Sequence, residues 1–374
     1  MTFRSILSEL ESQGNLRNLP QELPEGIIDF SSNDYLGIAG NQEMAREFLN
    51  SVKYPSFSSS ASRLLSSHQK DYRQLEDLLE NLYGQPSLIF NSGYHANTGI
   101  LPALTNDVKS LIIADKFVHA SIIDGIILSR CDYRRFSHND IGSLKKIIEK
   151  YYDDYERIIV ITESVFSMDG DEAPLESILE LKRKYPKLML YLDEAHAFGV
   201  KGEKGLGLSY KSGTPSDWDI RIFPLGKAAA SMGAFVICNE DSKDFLINKS
   251  RSLIFSTALP PLQVKWTAFV IEQIVKMDEE RSHLTNLSHQ LKDILVPYSK
   301  EQSPLVSHIN PLIIGDSLKT ISISNFLFKH GIKALPIRKP TVPSGTERIR
   351  FSLSAGMTKN NLENLKEVLD LIFQ

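Results

Sequence analysis

The chain has two cysteines in 374 residues, Cys131 and Cys238, too few for a disulfide framework and spaced like no metal or redox motif. That scarcity suits a reducing compartment, and cytoplasm is the expected location. Basic charge is not in excess either: 42 lysines and arginines face 46 aspartates and glutamates, for a formal charge of -4. Neither nucleic acid nor an anionic membrane surface finds an electrostatic footprint here, so a small soluble substrate is the expected partner. No stretch approaches the roughly twenty apolar residues of a membrane helix, and the N-terminus shows no basic region followed by an apolar run. No targeting segment and no internal repeat is read.

What is present is a large apolar fraction, 42%, in a chain long enough for a big core domain and a smaller one. Phe3, Ile6, Leu7 and Leu10 recur at helical spacing and predict a short amphipathic helix, followed by a short strand over residues 27–30. Apolar runs at 87–90, 111–114, 158–161, 188–192 and 220–223 alternate with helix-length segments, and 233–238 adds another strand. That rhythm predicts an α/β domain with a mostly parallel sheet between helices. Beyond residue 260 the pattern changes to long helices, 262–281 and 285–295, then short strands near Ile313, Ile332 and Ile349 and a last helix. The expected organisation is an N-terminal arm and short segment over 1–50, a large domain over 51–260 and a smaller α+β domain over 261–374. Residues 54–68, YPSFSSSASRLLSSH, would pass for a flexible linker on composition.

The most informative stretch is LMLYLDEAHAFGV at 188–200, an apolar run that ends in two carboxylates and a histidine. Open α/β sheets bind ligands outside the carboxyl ends of such strands, which puts Asp193 and His196 at a crevice. In the plainest reading Asp193 caps the next turn and His196 is a satisfied core histidine. A nucleotide hydrolase would require a phosphate loop of the form G-x-x-x-x-G-K-[ST]. The nearest segment, FPLGKA at 223–228, has no glycine five residues before Gly226 and no hydroxyl after Lys227. The third reading joins Asp193 and His196 to Lys227: a carboxylate for a pyridine nitrogen, an imidazole beside it and a lysine able to condense with an aldehyde are what pyridoxal phosphate chemistry requires.

Other strand ends point polar groups the same way. NSGYHAN at 91–97 follows a strand and opens a helix, so its glycine exposes backbone N–H groups to an anion, or simply forms a turn and cap. DKFVHAS at 115–121 places His119 where it can stack on an aromatic ring or cap a helix. TESVFSMDGD at 162–171 adds a carboxylate and hydroxyls. In PTVPSGTERIRFSL, 340–353, Arg348 and Arg350 share one strand face; an inward guanidinium clamps a carboxylate through two parallel hydrogen bonds, and the salt-bridged alternative suits Arg348 better.

Together with FSSNDYLG at 30–37, DEAHAFGV at 193–200, STALPP at 256–261 and PTVPSGTERIRFSLSA at 340–355, these motifs resemble the α-oxoamine synthases. These are pyridoxal-phosphate enzymes of the aspartate-aminotransferase fold that join an amino acid to an acyl thioester with loss of carbon dioxide. The resemblance implies L-alanine and a pimeloyl thioester, on coenzyme A or acyl carrier protein, as substrates in biotin synthesis. It implies that Lys227 bonds to the cofactor and takes the α-proton, that Asp193 pairs with the ring nitrogen, and that His119 stacks on the ring. His196 and Ser167 would hold the phenolic oxygen, and the backbone of Gly93 and Tyr94 would cradle the phosphate. Thr257 would reach the phosphate from the neighbouring subunit of a homodimer. Arg350 would bind the substrate carboxylate, with Glu163 and Asn33 in the same pocket and Arg17 near the thioester.

The chain departs from that pattern twice. Pro224 stands where the family has a threonine or serine donating to the phosphate, and Ser58, Ser60, Ala61 and Ser67 stand where it has glycines. A glycine acetyltransferase with the same mechanism, and a cofactor-free subunit of the same fold, are the alternatives; Lys227 weighs against the second.

Overall fold

The computed structural model describes residues 2–19, 22–210, 212–213, 217–299 and 305–373. Its strands in chain order are β1 (Ile28–Asp29), β2 (Ser87–Phe90), β3 (Ser110–Asp115), β4 (Asp132–Phe136), β5 (Arg157–Glu163) and β6 (Leu188–Asp193). These are followed by β7 (Ile220–Pro224), β8 (Ala234–Cys238), β9 (Ile309–Ile313), β10 (Ile332–Lys333), β11 (Leu335–Ile337) and β12 (Arg348–Ser352). The chain divides into two compact units, residues 36–166 with 172–278, and residues 1–35 with 167–171 and 279–374.

The larger unit is built on a seven-stranded sheet in the order β2-β8-β7-β6-β5-β3-β4. Neighbours from β7 through β4 pair in parallel, while β8 runs antiparallel to both β2 and β7. Alternate residues of a strand feed opposite cores. Leu111 and Ile113 join Leu144, Ile148, Leu188, Leu190 and Trp218 on one face. Ile112 and Ala114 join Ile100, Leu104, Ile122 and Ile126 on the other. Burial on both faces is why these strands read as continuous apolar runs rather than as alternating ones. The order of the strands puts Asp115, Glu163 and Asp193 at the carboxyl ends of β3, β5 and β6.

The smaller unit holds an antiparallel sheet, β11-β12-β9, and a parallel pair, β1-β10. Its helices are Asp278–Leu295, Ser317–Lys329 and Lys359–Phe373. The N-terminal helix forms as expected, over Phe3–Ser12, and buries none of its residues.

Three expectations are revised. The helix expected over 262–281 ends at Ile274, and a new one runs without a break from Asp278 to Leu295. No glycine or proline marks that turn; the acidic run Asp278, Glu279 and Glu280 sits instead at the favourable positive end of the second helix. The helix Pro261–Ile274, assigned from sequence to the C-terminal domain, packs in the larger unit, where Trp266 and Phe269 meet Phe48 with ring centroids 5.1 and 5.6 Å away. The serine-rich segment is anchored rather than free. Ser59 Oγ donates to the Leu259 carbonyl at 2.7 Å, the Ala258 N–H donates to Ala61 O at 2.9 Å, and Arg63 pairs with Glu76 at 2.8 Å while lying over Tyr72. The Ser59 hydroxyl bonds backbone of the same chain, which composition cannot distinguish from solvation.

Candidate active site

In the parallel β5–β6 pair, Glu163 and Asp193 are direct partners at the strand ends. Both are buried. Asp193 Oδ1 accepts from the Ala195 N–H at 2.9 Å, and Oδ2 accepts from Asn97 Nδ2 at 3.3 Å. Glu163 Oε1 accepts from the His119 N–H at 2.5 Å. Burial, with the Asp193 charge adding to it, pushes the Glu163 carboxyl well above the usual range, while Lys227 acts in the opposite sense. Burial of this kind favours the neutral carboxyl.

His119 caps the helix Ala120–Ser129. Its Nδ1 lies 2.8 Å from Ser121 Oγ and accepts from the Ser121 N–H at 3.2 Å. Desolvation lowers its pKa; Asp193 opposes that shift and Lys227 adds to it. The Lys227 ammonium therefore acts on both Glu163 and His119, which sets the lysine among the strand ends that carry Asp193. The turn that presents it follows β7, where Leu225 N–H bonds to Gly233 O and Ala230 N–H to Lys227 O. His196 is buried just beyond β6. The second carboxylate of the DEAH stretch holds the chain together locally: Glu194 accepts from the Ser209 N–H at 2.7 Å and the Leu208 N–H at 3.1 Å, and burial raises its pKa.

Gly93 and Tyr94 head the helix Gly93–Thr105, whose cap Ser92 accepts from the His95 N–H at 3.1 Å. The first-turn amides of Gly93 and Tyr94 are left as donors at the positive end of this helix. The Tyr94 hydroxyl donates to Asp124 at 2.6 Å. Pro224 lies directly against this helix start: a Cβ on Gly93 would come within 2.7 Å of Pro224 Cγ. Asn91 Nδ2 donates to the Thr257 carbonyl at 2.6 Å, so within one chain Thr257 is tied to the residue two places before Gly93.

The remaining expected residues lie in the smaller unit. Arg350 is buried on β12; its Nε donates to Ser167 O at 2.7 Å and its Nη2 to Asn33 Oδ1 at 3.1 Å. Tyr35 OH donates to the same Asn33 oxygen at 3.1 Å, and burial pushes that phenol up to about 12 against the lowering influence of Arg350. Arg348 is buried as well and paired with Asp169, so it is salt-bridged without being on the surface. Arg17 is exposed, and its charge helps burial to lower the pKa of Arg338.

Sequence reading passed over Asn97, Ser121 and Tyr191, although all three belong to the strand-end network. Tyr191 OH donates to Asn97 Oδ1 at 2.6 Å, and Asn97 Nδ2 donates to Ser121 Oγ at 2.9 Å as well as to Asp193. The available signal was spacing: Asn97 follows Gly93 by one helical turn and shares its face.

The donor set fits pyridoxal phosphate. A buried carboxylate suits a protonated pyridine nitrogen, a lysine lies among the same strand ends, an imidazole stands beside it, and helix-start amides suit a phosphate. Comparison with known proteins agrees with this. Residues 25–369 match the family model for aminotransferase class I and II. A protein of Pasteurella multocida provisionally named 8-amino-7-oxononanoate synthase is 48% identical over 96% of each chain. One of Haemophilus influenzae with the same provisional name is 45% identical over 96% of this chain and 98% of its own. Among solved structures, serine palmitoyltransferase of Sphingomonas wittichii superposes with TM-score 0.88 at 25% identity over 99% of this chain and 96% of its own. The 8-amino-7-oxononanoate synthase of Francisella tularensis gives 0.77 at 27% identity over 93% and 97%. The chain belongs to the aminotransferase class I and II family, and within it to the pyridoxal-phosphate-dependent acyltransferases known as α-oxoamine synthases.

Proposed function

We propose that the protein condenses L-alanine with a pimeloyl thioester, on coenzyme A or acyl carrier protein, to give 8-amino-7-oxononanoate, carbon dioxide and the free thiol carrier. The reaction would serve biotin synthesis, in the cytoplasm, with the protein acting as a homodimer. The observation that carries the reading is the placement of Lys227 among the carboxyl ends of the strands bearing Asp193 and Glu163, seen in its charge acting on Glu163 and His119. The provisional names of the relatives that match almost the whole chain name the same product.

Pyridoxal phosphate supplies an aldehyde carbon for the amine and a ring that takes up the electrons released when the α-proton leaves. The work of this chain's residues follows from their chemistry. Lys227 Nζ would hold the cofactor through its aldehyde carbon and would be the base that takes the α-proton. The Asp193 carboxylate, held by Asn97 and the Ala195 N–H, keeps a proton on the ring nitrogen. His119 would cover the ring, and His196 and Ser167 would hold its phenolic oxygen. The amides of Gly93 and Tyr94 take the phosphate, joined by Thr257 of the second copy. Arg350, oriented by Ser167 O and Asn33, takes the substrate carboxylate. Glu163 and Asn33 would serve the amino-acid substrate, and Arg17 the thioester.

The test is the near-visible absorption of the purified holoprotein during separate titrations with L-alanine, glycine and L-serine. A band that shifts selectively with alanine supports the reading. A selective response to glycine or serine moves the substrate to another branch of the family. Absence of any lysine-bound cofactor band after adding pyridoxal phosphate overturns it.

A further inference from the structure

We infer that Asn97 and Ser121 are positioning residues that hold His119 as the neutral imidazole with its proton on Nε2. Hydrogen-bond direction fixes each proton in turn. Asp193 can only accept, so the Asn97 group facing it at 3.3 Å is the amide nitrogen. The amide oxygen then faces Tyr191, whose buried phenol holds its proton and donates at 2.6 Å. Turning the amide over would set its oxygen against the Asp193 carboxylate, so its orientation is determined at both ends. Asn97 Nδ2 also donates to Ser121 Oγ at 2.9 Å, which therefore acts there as the acceptor. The Ser121 hydroxyl hydrogen is left for its other neighbour, His119 Nδ1, at 2.8 Å. The Ser121 backbone N–H points at the same nitrogen, at 3.2 Å. With two donors directed at it, Nδ1 must be the unprotonated nitrogen, and the ring proton resides on Nε2.

The surroundings of the ring agree. His119 stands at the N-terminus of the helix Ala120–Ser129, where the backbone dipole disfavours a cation. The charged groups that reach it are Lys227, which disfavours the imidazolium, and Asp193 and Asp124, which favour it. Glu163, the acceptor of its backbone N–H, has its carboxyl pushed well above the usual range by burial, which favours its neutral form. The consequence for catalysis, which rests on the proposed function, is that His119 offers the substrate an N–H donor of defined direction without adding positive charge beside the cofactor ring. Charge there would work against Asp193, which keeps the ring nitrogen protonated.

The test is heteronuclear magnetic resonance of the full-length holoprotein labelled with nitrogen-15 histidine, with His119 assigned by the signal lost in His119→Asn. The expected spectrum has a pyrrole-type Nε2 and an acceptor-type Nδ1 that persist through neutral pH. In Ser121→Ala, which retains the backbone donor, and in Asn97→Leu, which frees the serine hydrogen, His119 shows mixed tautomers and titrates at higher pH than in the parent. A proton on Nδ1 or an imidazolium at neutral pH in the parent would overturn the inference. So would an unchanged tautomer and titration in both variants. The lysine-bound cofactor band reports that each variant is folded. The readout does not depend on turnover, so failure of the proposed substrates to react leaves it distinguishable.

Discussion

Glu163 and Asp193 stand side by side on adjacent parallel strands, where burial and then the neighbouring Asp193 charge push the Glu163 carboxyl well above its usual range. Its folded-state pKa lies above the unfolded value, so its contribution to stability is fully present below about pH 4.5 and is lost as pH rises through the raised value. In the cofactor-free protein, Glu163→Gln replaces the protonated carboxyl by a neutral group that still accepts the His119 N–H. Its stability relative to the parent should therefore increase as pH rises from about 4.5 through the raised value, as measured by chemical denaturation across a pH series. A constant difference at all pH values would contradict the assignment.

Lys227→Ala removes the amine that bonds the cofactor and takes the α-proton. The lysine-bound absorption band should vanish, and turnover should fall by at least about a hundredfold, the scale of losing a general base. Retained turnover would sink the assigned role.

Arg350→Lys keeps the charge but not the planar fork, and it takes from Ser167 O its guanidinium donor and leaves Asn33 Oδ1 with the Tyr35 hydroxyl. Loss of hydrogen bonds to a charged group costs about 1.5–3 kcal/mol. The KM for the amino acid should rise by about ten- to a hundredfold, with a smaller change in the KM for the thioester. Equal effects on both substrates would count against a carboxylate clamp.

Pro224→Thr restores a hydroxyl beside the helix start that bears Gly93. A charge-assisted hydrogen bond to phosphate would tighten cofactor binding by about tenfold or more, on the scale of 1.5–3 kcal/mol. Fluorescence titration of the cofactor-free protein with pyridoxal phosphate reads this directly. An unchanged affinity would show that other donors already saturate the phosphate.

Gly93→Ala places a Cβ within 2.7 Å of the Pro224 ring, and overpacking of this kind costs about 1–3 kcal/mol. The same substitution in a Pro224→Ala background should cost less, since the contacting ring carbon is gone. Equal losses in the two backgrounds, measured by thermal denaturation, would exclude this contact as the cause.

Most strands of the large sheet were legible because burial on both faces leaves uninterrupted apolar runs, and β2, β3, β5, β6 and β7 fall where those runs stand, whereas the edge strand β4 was passed over because Asp132 to Arg135 are exposed and only Phe136 is buried. The turn at 275–277 was not, because no breaker residue marks it and the change is one of packing partner: Ile274 closes the buried face of one helix and Leu284 belongs to that of the next. Composition misread the serine-rich segment for a related reason. Ser59 and Ser66 are buried, and a serine hydroxyl that bonds a carbonyl is the same letter as one that bonds water.

Within the site, Lys227, Asp193, His119 and Gly93 could be read from residues near strand ends, since such ends of a parallel sheet gather at one edge. The amino-acid sequence by itself determined the chemistry available: which groups can donate, accept, bond an aldehyde carbon or grip a carboxylate. Only the tertiary structure decided which proton each group holds. Asn97 and Asp193 are 96 positions apart along the chain, and Tyr191 reaches Asn97 from 94 positions away. Hydrogen-bond direction depends on all partners at once, and those partners meet only after the sheet has brought its strand ends together.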